Sequence, residues 1–253
     1  MSVSYERVGA AAVVTIDRPE RRNAVDGPTA DLLGEAHERF EADHEARAMV
    51  LTGAGGVAFC AGADLKAIET FGPRLDDPGG PLGFTRRTPS KPAIAAISGW
   101  CLAGGLELAL WCDLRIAAQG SSLGFPERRW GVPLIDGGTQ RLPRIVGLGR
   151  ALDLILSGRI VGAEEALGMG LVTELVPTGR HLERALEIAE GLARFPQDTM
   201  LADRRAAIEG LGMTLESGLA LEARSGQATL ETAWRGASRF AEGEGRGGEG
   251  AGV

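Results

Sequence analysis

Short strand-like apolar runs alternate with helical stretches through the first two thirds of this 253-residue chain, and no other feature limits its fold so much. Ala12 to Ile16, Met49 to Thr52, Ala93 to Ile97, Leu114 to Ala118 and Leu171 to Val176 are each too short for a stable helix. Most are apolar at successive positions, as strands covered on both faces must be. Between them Ala30 to Arg47, Gly105 to Cys112, Arg150 to Leu156 and Ala163 to Met169 carry helical spacing, so the chain is predicted to be α/β. From His181 the strand signals stop, and His181 to Phe195, Thr199 to Gly210 and Leu215 to Ala241 read as helices. The expected organisation is an α/β core over 1–195, a helical region over 196–241 and a disordered tail over 242–253, where six glycines leave little to bury.

Charge and composition then exclude several classes of function. The net charge of −7 with no compact Lys/Arg block argues against a nucleic-acid partner. The clusters Arg18 to Arg22 and Arg128-Arg129 read as solvated, ion-paired surface. Apolar runs such as Pro92 to Ile97 are too short to span a bilayer, and MSVSYERVGA lacks a basic-then-apolar leader, so the expected location is cytoplasmic with no membrane partner. Cys60, Cys101 and Cys112 form no CxxC pair and no even set; they read as small buried thiols, without disulfide or zinc.

Two familiar chemistries fail on context. Gly53 to Ala58 spells GxGxxA, the dinucleotide fingerprint, but no helical text opens at those glycines and the acids some 20 residues on lie among Pro and Gly. His37, His44 and His181 all sit in charge-rich helical text and read as surface residues, which leaves serine or cysteine acyl transfer without a base near the glycine-rich loops.

What remains is two carboxylates and two small-residue loops. Glu107 is the one charge in the twelve residues CLAGGLELALWC, and an ionised, unpartnered carboxylate buried there would cost several kcal/mol. It follows Ala103-Gly104-Gly105, where a helix start offers free N–H groups to an anion. Ala61-Gly62-Ala63-Asp64 repeats the design, with Asp64 as the N-cap of a following helix. One N–H from each loop could together hold the oxyanion of a thioester or ester. Glu127 lies 20 residues beyond Glu107, past the run Leu114 to Ala118, so the two acids have room to meet; pairing with Arg128 and Arg129 at the surface is the alternative.

Taken together, these residues resemble the crotonase superfamily of enoyl-CoA hydratases and isomerases. The likeness runs from Ile16-Asp17-Arg18-Pro19-Glu20-Arg21-Arg22-Asn23-Ala24 through Phe59 to Lys66, Cys101 to Asp113 and Gly124 to Leu142, on to the C-terminal helices. The resemblance implies a crotonase-like spiral of ββα units and a helical C-terminal region that assembles homotrimers, often paired as hexamers. It implies acyl-CoA substrates, with coenzyme A as part of the substrate and no other cofactor. Its oxyanion donors fall on the N–H groups of Ala63 and Gly104, and its two acids on Glu107 and Glu127. Ala61, Asp64, Lys66, Arg22 and Asp136 are expected at substrate-binding positions, with Arg21, Arg22 and Lys66 near the coenzyme, and Ala67 to Ser90 lines the acyl pocket. Water held between the two glutamates would add across the 2,3 double bond. Two carboxyls in one pocket cannot both ionise cheaply, so one is expected to stay protonated near neutral pH.

One segment departs from the hydratase pattern. Where hydratases of the family carry a glycine-rich turn before Gly-Gly-Thr, this chain has Val132-Pro133-Leu134-Ile135-Asp136, which brings bulk and a third carboxylate toward the site. An enoyl-CoA or dienoyl-CoA isomerase, which moves a double bond without adding water, and a non-catalytic acyl-CoA-binding homologue therefore stand beside the hydratase.

Overall fold

The computed structural model describes residues 1–244, so the expected disordered tail falls almost wholly outside the described residues. The chain forms two compact units that divide at Ala189/Glu190, where the sequence suggests a division at 195/196. In chain order the first unit holds strands β1 (Val3–Val8) and β2 (Ala11–Ile16), helix α1 (Gly27–Ala42), β3 (Ala48–Gly53), β4 (Ala58–Cys60), β5 (Ala93–Ile97) and β6 (Trp100–Leu102). Helix α2 (Gly104–Trp111), β7 (Leu114–Ala118), β8 (Ser122–Gly124), α3 (Gly138–Val146), α4 (Leu148–Ser157), β9 (Ile160–Gly162), α5 (Ala163–Gly168) and β10 (Glu174–Val176) complete its sheets.

Two sheets result. The larger has the order β1-β2-β3-β5-β7-β10, parallel except for the β1/β2 hairpin; the smaller has the order β4-β6-β8-β9, antiparallel only at β8/β9. Odd and even strands of each turn fall in different sheets: β3 then β4, β5 then β6 before α2, β7 then β8 before α3. This is the expected ββα spiral. Every residue of β3 and β5 is buried, which is why their text is continuously apolar and does not alternate. Phe40, Phe59, Phe84 and Phe125 are the largest fully buried side chains of the core.

Three expectations for the first unit need adjustment. The helix expected over Ala30 to Arg47 ends at Ala42, because the Asp43 carboxylate accepts from the N–H groups of Glu45 and Ala46 and turns the chain out of the helix. The strand expected over Leu171 to Val176 pairs only from Glu174, since Leu171 and Val172 donate back to the Ala166 carbonyl at the end of α5. His37 is not a surface residue: it is buried on α1, its ring 5.7 Å from those of both Phe84 and Trp111, and burial lowers its pKa.

Helix α6 (His181–Ala193) carries the chain into the second unit, which holds α7 (Gln197–Glu209), α8 (Leu215–Gln227) and α9 (Leu230–Ala241). The single helix expected over Leu215 to Ala241 is thus two, parted where both the N–H and the hydroxyl of Thr229 donate to the Gly226 carbonyl. Among the described residues no helix is long and apolar enough to cross a membrane.

Candidate active site

The two small-residue loops meet at the carboxyl ends of the short strands. After β4, Val25 pairs with the first loop: its N–H donates to the Gly62 carbonyl at 2.8 Å, and its carbonyl accepts from Asp64 at 2.7 Å. Asp64 caps the following 3₁₀ turn as expected, accepting from the Lys66 N–H at 3.1 Å, and its other oxygen pairs with Arg18 at 3.1 Å. Arg18 also pairs with Asp26 at 2.9 Å, and the fully buried Asn23 donates to the carbonyls of Ala54 and Ala58. Arg18 and Asn23 are therefore scaffolding for the loop.

The second loop starts α2. Ala103 donates to the Gly124 carbonyl at 2.9 Å and holds φ +52° and ψ −127°, a conformation that costs an L-residue roughly 1–3 kcal/mol and that clusters at functional sites. The loops touch so closely that a Cβ on Gly62 would lie 2.8 Å from the Gly104 nitrogen, and one on Gly104 would lie 3.6 Å from the Ala63 nitrogen. Among the described residues, the N–H groups of Ala63 and Gly104 donate to no protein acceptor. They are two free donors side by side.

Glu107 stands on the first turn of α2 and is 3 % exposed. Its Oε1 accepts from the N–H of Gly138 at 2.7 Å and of Asp136 at 3.0 Å, so the N-terminus of α3 points at it. Burial pushes its pKa up to about 8, the charges of Asp136 and Glu127 add to the rise, and the two N–H bonds oppose it. Glu127, on the 3₁₀ turn Pro126–Trp130, is 5 % exposed and does not pair at the surface: neither carboxylate oxygen has a hydrogen-bond partner. Burial raises its pKa to about 6, with its own backbone N–H and then the charge of Arg128 limiting the rise. Such an orphaned buried carboxylate is costly and marks a site built for a ligand or a proton.

These groups share one cavity of about 370 Å³. Arg22, Ala61, Ala63, Gly104, Glu107, Glu127 and Asp136 all line it, whereas Asp64, Lys66 and Arg21 do not. The rest of the wall is apolar: Ile68, Phe71 and Leu82 come from the segment expected to line an acyl pocket, and Leu134 and Ile135 from the departing turn. Trp130, Leu102 and Pro126 also line it and had no sequence signal, because an aromatic or aliphatic residue reads as core until its neighbours are known. Among the described residues no three His, Cys, Asp or Glu side chains cluster as metal ligands.

The decoy motifs also find their places. Gly53 to Ala58 is a strand-to-strand connection, with no helix to receive a pyrophosphate. Gly120-Ser121-Ser122-Leu123-Gly124 spells GxSxG, but Ser122 opens strand β8, where a nucleophile elbow needs a helix.

Free N–H groups and two buried acids lining one cavity, on a ββα spiral, make up a crotonase-fold site. The chain belongs to the enoyl-CoA hydratase/isomerase family, whose model matches residues 6–245. It is 39% identical over 239 residues to a probable enoyl-CoA hydratase of Rhizobium meliloti, covering 91% of this chain and 92% of that protein. A short-chain-enoyl-CoA hydratase of Clostridium acetobutylicum is 36% identical, with 88% and 87% covered. Among solved structures, the enoyl-CoA hydratase EchA1 of Mycobacterium marinum superposes with a TM-score of 0.89 at 37% identity, covering 95% of this chain and 96% of that one.

Proposed function

We propose that this protein is an enoyl-CoA hydratase, adding water across the 2,3 double bond of a 2-enoyl-CoA to give a 3-hydroxyacyl-CoA. The observation that carries the reading is the pair Glu107 and Glu127, both buried on the wall of the cavity that also presents the free N–H groups of Ala63 and Gly104. The thioester oxygen rests on those two N–H groups. Water between the glutamates loses a proton to one carboxylate and attacks the β-carbon, while the other acid protonates the α-carbon. Charge developing on the thioester oxygen meets donors that need no reorganisation, each worth roughly 2.7–4 kcal/mol in comparable oxyanion holes. With pKa values raised to about 8 and about 6, the pair holds a single proton near neutral pH and so supplies one acid and one base.

The apolar wall of Ile68, Phe71, Leu82, Leu134 and Ile135 receives the acyl chain, and Arg22 at the exposed end offers a cation to the coenzyme phosphates. Coenzyme A enters as part of the substrate, and the scheme needs no further cofactor. Assembly as a homotrimer or a pair of trimers is part of the proposal; exposed Leu215, Leu219, Leu230, Trp234 and Phe240 on the C-terminal helices support it, as large apolar side chains that a contact between copies would cover. The proposed location is the cytoplasm. A double-bond isomerase is favoured by one observation, the third carboxylate of Asp136 on the cavity wall.

Product analysis separates the two. Incubation with a 2-enoyl-CoA should yield the 3-hydroxyacyl-CoA, detected by mass as one added water. Conversion of a 3-enoyl-CoA to the 2-enoyl isomer, with no gain of water from either substrate, would replace the hydratase by the isomerase.

A further inference from the structure

Residues 78–90 contain neither helix nor strand, yet they carry Leu82 into the cavity and against the oxyanion loop: a Cβ on Gly104 would sit 3.0 Å from Leu82 Cδ1. The segment makes turns of its own, with the N–H groups of Gly83 and Arg86 donating to the carbonyls of Gly80 and Gly79, and bonds from outside add to them: Arg74 donates to the Pro81 carbonyl and Trp111 to that of Arg87. Asp136 supplies two more. Its Oδ1 accepts from the Leu82 N–H at 3.0 Å and from the Thr85 hydroxyl. The same residue's N–H donates to Glu107 Oε1 at 3.0 Å, and its carbonyl accepts from Arg141, whose guanidinium also donates to the Thr85 carbonyl. Arg141 folds back so tightly that a Cβ on Gly137 would stand 2.0 Å from its Nη1.

We propose that Asp136 is a positioning residue and not a third acid: its side chain ties the Leu82 to Thr85 wall to the same short turn whose backbone orients Glu107. The inference rests on the hydratase reading and deepens it. Both donors on Oδ1 bond a charged or a neutral acceptor, so the role requires an acceptor oxygen and no proton. The acyl wall and the acid thereby share one support, and the Leu82 side chain that it places packs against the oxyanion loop. Asp136 is 4 % exposed, and burial raises its pKa while Thr85, Leu82 and the charges of Arg86 and Arg141 limit the rise.

Asp136→Asn keeps the acceptor and removes the charge; Asp136→Ala removes both. Hydration kinetics should show the Asn variant within about tenfold of wild-type kcat and the Ala variant down about a hundredfold, the loss expected of misplaced groups. Glu107 faces the carboxylates of Asp136 and Glu127 and the cation of Arg141, so loss of the Asp136 charge should also move the alkaline limb of the Asn variant to lower pH. Hydrogen exchange, read without substrate, should show residues 79–86 exchanging faster in Asp136→Ala and in Thr85→Val but not in Asp136→Asn. Equal inactivation by Asn and Ala, or wild-type exchange in Asp136→Ala, would overturn the proposal. A wild-type protein that hydrates nothing would sink the hydratase reading alone, because the exchange comparison still decides the tether.

Discussion

Gly138 donates its N–H to Glu107 Oε1 at 2.7 Å, which plants the N-terminus of α3 on the acid presented by α2. A side chain there would crowd the acid, since a Cβ on Gly138 would lie 3.0 Å from that oxygen and 3.1 Å from Glu107 Cγ, and Glu107 would have to give way. The acid is thus held by backbone, which cannot titrate away, in a pocket that raises its pKa.

That arrangement trades stability for function at a known pH. A carboxyl whose folded pKa is raised from 4.5 to about 8 costs the fold nothing while protonated in both states, and the cost grows as pH rises from the lower value through the upper. Glu107→Gln keeps an oxygen for both N–H bonds and removes the titration. It should be more stable than wild type by roughly 3 kcal/mol at pH 7 and roughly 4 kcal/mol at pH 8, with almost no gain at pH 4.5. Thermal unfolding across that range checks it, and an equal midpoint at pH 8 would contradict the burial of charge.

The same two acids set the rate profile. Activity requires one proton on the pair, so kcat/KM should rise through about pH 6, fall through about pH 8 and be bell-shaped between. Glu127→Gln should remove the acid limb. Rates that climb steadily past pH 9 would show that Glu107 is not the upper group.

Contact between the two loops makes Gly62 sensitive to any side chain. Gly62→Ala places a Cβ 2.8 Å from the Gly104 nitrogen at a φ of +94°, so the backbone must shift. The kcat should fall about a hundredfold with secondary structure retained by circular dichroism, as expected when an oxyanion donor is displaced. Wild-type turnover in this variant would separate the loops from the chemistry.

Arg18 should matter for the fold and Lys66 for neither fold nor site. Arg18→Ala leaves Asp26 and Asp64 without their shared cation in a largely buried cluster, at a cost of roughly 3 kcal/mol measured by denaturant unfolding. Lys66→Ala, exposed and off the cavity wall, should change stability by less than about 0.5 kcal/mol and leave KM unaltered.

The inner strands of the large sheet were legible because burial on both faces writes apolar text, and Ala93 to Ile97 and Leu114 to Ala118 match to the residue; the edge strand β1, exposed along most of its length, was not. The smaller sheet was not, since β4, β6, β8 and β9 are three residues each and too short to show any period. At the site, Glu107 announced itself by its apolar neighbours, and the loops by their small residues. Glu127 did not: two arginines beside it imitate a surface ion pair, and only the turn that buries it tells otherwise. His37 misled in the opposite direction, its charged neighbours facing away from the aromatic rings it meets. Asp64 shows that a residue can sit in a motif and serve its scaffold, held by Arg18.

The central claim is that Glu107 and Glu127 work as a pair across one water. Its most direct test follows the conjugated-thioester absorbance of crotonyl-CoA and longer 2-enoyl-CoAs with wild type, Glu107→Gln and Glu127→Gln. The expected result is loss of absorbance with wild type and a rate at least about a hundredfold lower in each variant. No loss with wild type at any chain length despite saturable binding, or either variant hydrating as fast as wild type, would contradict it.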